Sequence, residues 1–74
     1  MKNSLDEYRS DFDISQQELA NYVEVTRQTI NAIERDRYDP SVELVFKLAA
    51  FFECSVGDLF HPDVGLKETI SEVE

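Results

Sequence analysis

Arg27, Gln28 and Asn31 fall within five consecutive residues of one amphipathic segment, directly behind Thr26. An Arg guanidinium can donate two hydrogen bonds to O6 and N7 of guanine, a Gln or Asn amide can pair with adenine, and a Thr methyl group can touch the thymine methyl. These four side chains are therefore equipped to bond the edges of base pairs. The plainer reading is a solvated polar face, which most exposed helices have. What decides between the two is how the surrounding chain would hold the four residues.

Ser15 precedes QQELANYV, and Glu18 follows it by three residues. This is the capping-box pattern, in which each side chain satisfies the other residue's backbone N–H, and it starts a helix at Gln16. Leu19, Ala20 and Val23 share one face of that helix, and the pattern breaks at Glu24 and Val25. Thr26 then offers a new cap for a helix from about Arg27 to Arg35, with Ile30 and Ile33 turned inward and Val25 beside them. Arg27, Gln28, Asn31 and Ala32 are left more exposed. Two short capped helices joined by a tight turn make a helix-turn-helix over residues 16–35, a device that sets its second helix in a DNA major groove.

The other elements support this pair. Leu5, Tyr8 and Phe12 at helical spacing predict a first helix over residues 2–11, with Asp6 and Glu7 near its N-terminal end, where the helix dipole favours acids. Asp36 to Pro40 reads as a polar loop. Ser41 caps a fourth helix through about Phe52, in which Leu44, Val45, Leu48, Ala49 and Phe52 form a broad apolar stripe. Ser55 caps a short fifth helix, VGDLF, with Asp58 in the position of the usual Glu and Pro62 beyond it as a stop. The fold expected is an all-α domain of five helices over residues 1–61. Residues 62–74 form a C-terminal tail whose Val64, Leu66, Ile70 and Val73 make it a candidate dimerisation element.

Seventy-four residues allow one small core. Cys54 is the only cysteine, so it has no disulfide partner within the chain and reads as a small apolar filler. With His61 as the only histidine, neither a Cys/His zinc cluster nor a Ser/His/Asp triad can be assembled, and there is no Gly-rich phosphate loop. Neither enzymatic activity nor a cofactor is expected, and no small-molecule ligand is evident. No apolar run approaches the roughly 18 residues of a membrane span, so a cytoplasmic protein is expected. The net charge of −9 is spread out: residues 1–14, 15–41 and 42–61 each carry −2 and residues 62–74 carry −3. Against that background, Arg27, Arg35 and Arg37 cluster within and just after the third helix, a positive patch on an acidic body.

Taken together, SQQELA, VTRQTINAIE, RYDPSVELVFKLAAFF and SVGDLF resemble, in order and spacing, the small helix-turn-helix transcriptional regulators of the lambda-repressor and Cro (Xre) type, over residues 5–60. The resemblance implies a homodimer on double-stranded DNA with the third helix in the major groove. It places Thr26, Arg27, Gln28 and Asn31 as the base-facing set and Gln16 as a phosphate clamp. Arg35, Arg37, Tyr38 and Ser41 would flank the groove and touch backbone phosphate. Arg9 and Glu34 match a structural ion pair between the first helix and the end of the third.

The departures from the family are all of one kind. Family members commonly carry Gly where helices one to four end in a left-handed residue, and here those positions read Asp13, Glu24, Asp36 and Glu53. Four acidic replacements on a chain with sixteen acidic and seven basic residues suggest adaptation to high salt, where ions screen self-repulsion. Two readings follow: a sequence-specific transcriptional regulator, most simply a repressor, or a protein-interaction module such as an antitoxin or an adaptor of the transcription machinery. The acidic surface and the tail favour the second, the third-helix residues the first.

Overall fold

The protein, described here over residues 1–61 by a computed structural model, is all-helical in this region: α1 (Leu5–Asp11), α2 (Gln16–Val23), α3 (Arg27–Glu34), α4 (Val42–Phe52) and α5 (Val56–Leu59). The tail expected at 62–74, and Pro62 with it, lies outside the described residues. No helix among the described residues is long and apolar enough to cross a membrane.

The helix starts follow the caps. Ser15 Oγ accepts from Glu18 N at 3.0 Å while Glu18 Oε1 accepts from Ser15 N at 2.9 Å. The same reciprocal pair forms between Ser55 and Asp58, and Thr26 and Ser41 cap α3 and α4. Hydrogen bonds from the Ser15 backbone and side chain hold the Glu18 carboxyl below its usual pKa. The contribution of this box is thus present above the ordinary Glu range and is lost as pH falls through the lowered value.

The helix ends obey the left-handed expectation. Asp13, Glu24, Asp36 and Glu53 have φ of 55°, 62°, 61° and 54°. In each case a non-glycine side chain occupies a conformation that costs an L-residue about 1–2 kcal/mol. The chain carries that strain at four separate turns.

Leu5, Leu19, Ile30, Ile33, Leu48 and Leu59 are fully buried and define the core, closed by Val23, Leu44, Phe52 and Phe60. Every helix contributes to it. Val45 and Cys54 are half-buried at its margin. An aromatic ladder continues from the core to the surface: Phe52 meets Phe12 edge-on at 4.9 Å, and Phe51 lies 4.9 Å from Tyr22.

Two elements differ from their sequence expectation. Residues 2–4 lie outside any helix and Phe60 leaves α5 in a β conformation, because Asn3 and Phe60 pair in an isolated antiparallel bridge. Ser4 N donates to Leu59 O at 2.9 Å and His61 N to Lys2 O at 2.8 Å. His61 sits with its ring Nε2 2.9 Å from Ser4 Oγ. The bridge ties the two ends of the domain together and sets Asn3 against α3.

Candidate nucleic-acid interface

The turn between α2 and α3 is only Glu24 to Thr26. Left-handed Glu24 reverses the chain, and Val25 N returns to Ala20 O at 3.0 Å. With Val23, Ile30 and Ile33 buried, the turn fixes which side of α3 faces out. Thr26, Arg27 and Gln28 are exposed on that side. The Thr26 hydroxyl is taken up as the cap of α3, 3.2 Å from Thr29 N and 3.0 Å from Thr29 Oγ1. Those two contacts leave the methyl group and one hydrogen-bonding site of the hydroxyl unengaged. Arg27 and Gln28 have no side-chain partner among the described residues, so their donors are available.

The flanking residues fall into two groups. Arg37 and Tyr38 join Thr26, Gln28, Thr29 and Ala32 around one open recess beside α3. Tyr38 also reaches a second recess that includes Ser41, the α4 cap. On the opposite side Gln16, Asn31 and Arg35 form a cluster: Gln16 Nε2 lies 3.3 Å from Asn31 Oδ1, and Arg35 Nε also lies 3.3 Å from that oxygen. Asn31 and Ala32, expected to be more exposed, are half-buried. Asn31 is drawn in by its two partners.

Gln16 Nε2 also donates to Glu34 Oε1 at 2.9 Å. Both of its N–H bonds therefore have protein acceptors, and a side-chain bond from Gln16 to a phosphate requires release of one of them. The first N–H groups of α2 lie outside the helix ladder, the feature of a helix N-terminus that favours an anion without that exchange.

Glu34 is held from the other direction by Arg9, whose Nε donates to Oε2 at 2.8 Å and Nη2 to Oε1 at 3.3 Å. Arg9 Nη1 also donates to Ile14 O at 3.1 Å, so one guanidinium ties α1, the α1–α2 connection and the end of α3. Its hydrogen bonds to Glu34 raise the Arg9 pKa above its already high ordinary value. The Glu34 side chain is only 8% exposed and that of Arg9 21%. Replacing Arg9 by Ala would strand the Glu34 carboxylate with Gln16 alone. The expected loss is about 2–4 kcal/mol, near the range for breaking a buried pair, or about 10–20 °C in Tm for a domain of this size. Thermal melts followed by circular dichroism read this directly. A variant that melts with the parent would remove the pair from the account of how α3 is held.

Asn3 does a related job that the sequence did not announce. Its Nδ2 donates to Ile33 O at 2.8 Å and its Oδ1 accepts from Leu5 N at 3.1 Å, so one side chain caps the end of α3 and the start of α1. Beyond α3 the Met1 ammonium group bonds the carboxylates of Asp36 and Asp39, acids that flank Arg35 and Arg37.

Comparison with known proteins agrees with this geometry. A family model described as helix-turn-helix matches residues 5–59. An uncharacterised HTH-type transcriptional regulator of Methanocaldococcus jannaschii is 48% identical over 60 residues, which cover 81% of this chain and 91% of that protein. The HTH-type transcriptional regulator YgzD of Bacillus subtilis, also uncharacterised, is 43% identical over 60 residues, with the same two coverages. Among solved structures, a hypothetical transcription factor from Neisseria superposes with a TM-score of 0.69 at 28% identity, covering 86% of this chain and 75% of that one.

Proposed function

The chain belongs to the helix-turn-helix family of transcriptional regulators, of the lambda-repressor and Cro (Xre) type, and we propose that within it the protein is a sequence-specific DNA-binding repressor that acts as a homodimer in the cytoplasm. The observation that carries this reading is the exposed pair Arg27 and Gln28 in the first turn of α3, behind a capped turn and between two flanks that hold Arg35 and Arg37. Arg27 and Gln28 would bond base edges, with the Thr26 methyl group beside them. Arg35, Arg37, Tyr38 and Ser41 would lie along phosphates, as would the start of α2 at Gln16. Two-fold symmetry sets half-sites about one helical turn apart. The functional domain is residues 1–61, and residues 62–74 would serve dimerisation.

The experiment is fluorescence anisotropy of the protein on DNA from upstream of its own gene, against a scrambled duplex. Arg27→Ala and Gln28→Ala should each weaken selective binding by about 1–3 kcal/mol, up to about 150-fold, while leaving the thermal melt unchanged. Equal affinity of parent and both variants for the selected DNA would sink the assignment of α3 as the reading element. Absence of selective binding by the parent would turn attention to the protein-interaction reading.

A further inference from the structure

We propose that Asn31 acts only as a hydrogen-bond donor to DNA and selects guanine at its base pair, where an unengaged Asn would take adenine. The inference rests on the DNA-binding reading above and deepens it. An Asn amide pairs with adenine through both ends, its oxygen accepting from the N6 amino group and its nitrogen donating to N7. Here the oxygen is occupied. Gln16 Nε2 and Arg35 Nε approach Asn31 Oδ1 from two sides, each at 3.3 Å, and those two donors account for its two lone pairs.

The orientation of the amides follows from the charges around them. Glu34 Oε1, a carboxylate oxygen ion-paired with Arg9, lies 2.9 Å from the Gln16 amide, so the nitrogen of Gln16 and not its oxygen must face it. Arg35 is a donor only, so the oxygen of Asn31 must face it. A flipped Asn31 would point N–H groups at the Arg35 guanidinium and at a Gln16 amide nitrogen already fixed by Glu34. The chain Arg9, Glu34, Gln16, Asn31, Arg35, half-buried up to Asn31 and exposed at Arg35, therefore fixes one polarity from α1 to the outer side of α3. What Asn31 has left is its Nδ2 pair of hydrogens. A guanine edge presents two acceptors, O6 and N7, and suits that amine, whereas an adenine edge presents its own amino group to it.

The test is enrichment of binding sites from random duplexes by the full chain, repeated with Asn31→Asp. That variant keeps acceptors for Gln16 and Arg35 but has no donor. The base pair read by residue 31 is the one whose preference changes between the two. The expected result is guanine there for the parent, with the variant losing about 10- to 100-fold in affinity for that site. A second measurement needs no variant: 7-deazaguanine at that position, which removes N7, should weaken the parent by several-fold and leave Asn31→Asp indifferent. Adenine enriched at that pair, or no pair that responds to Asn31→Asp, would overturn the donor-only assignment while the DNA-binding reading stands. No sequence enriched by the parent at any salt would overturn both.

Discussion

Replacing Asp13, Glu24, Asp36 and Glu53 together by Gly should stabilise the domain by about 2–3 kcal/mol and raise its Tm by about 10–20 °C. All four hold left-handed backbone at the ends of helices, with φ between 54° and 62°. A side chain there costs about 1–2 kcal/mol; Gly relieves that strain but loses about 0.5–1 kcal/mol of the gain, because its unfolded chain has more freedom to give up. Glu gains most from the exchange, since Asp tolerates the region better through local hydrogen bonding. The sites lie on separate turns, so the increments should add closely. Asp36 also gives up its bond to the Met1 ammonium, an exposed pair of small worth. The melts belong in about 2 M KCl, where the Debye length is a few ångströms and loss of four negative charges has little effect of its own. A parallel set carrying Gln and Asn at these positions removes charge without freeing the backbone. If that set is stabilised as much as the Gly set, the strain argument is wrong and charge is the cause.

These four positions also indicate what the sequence could and could not disclose. Caps and helix ends are local signals: Ser15 with Glu18, Ser55 with Asp58, and the residue after each apolar stripe were all legible, and the five helices follow from them. The core was legible for the same reason, because Leu19, Val23, Ile30, Ile33, Leu44 and Leu48 recur at helical spacing. The Asn3–Phe60 bridge was not, since a single extended pair has no periodicity and its partners lie at opposite ends of the domain. Helical spacing at Leu5 and Tyr8 extended the first helix back over residues that the bridge takes. Within the site, residue types and the exposure of Arg27 and Gln28 could be read in advance. The engagement of Asn31 could not, because it needs Gln16 from α2, fifteen residues away, and Arg35 from the end of α3 around one oxygen.

Affinity of the protein for its selected DNA should change by less than about tenfold between 0.1 and 2 M KCl, or rise, where a binder making 6–10 phosphate contacts loses about 10³–10⁵ between 50 and 200 mM. Counterion release scales with the number of phosphates neutralised by cations, and on the proposed reading the flanks offer few: Arg35 and Arg37 beside α3 and Lys47 near Ser41, with Arg27 assigned to bases and Arg9 bound to Glu34. Glu24 and Asp36 stand at the two ends of α3, where they oppose phosphate at low salt. At 0.1 M the Debye length is about 10 Å, long enough for these acids and the net charge of −9 to act on the duplex. At 1 M it is about 3 Å, and the repulsion collapses while the short hydrogen bonds of Arg27 and Gln28 remain. Added salt therefore removes a small attraction and a comparable repulsion at once. Titration by anisotropy in KCl, plotted as log K against log salt, should give a slope near zero or positive. Glu24→Gln with Asp36→Asn should raise affinity at 0.1 M and have little effect at 2 M, converging on the parent. A slope of about −4 or steeper for the parent would mean that phosphate contacts dominate after all, and the acidic surface would then need an explanation other than salt.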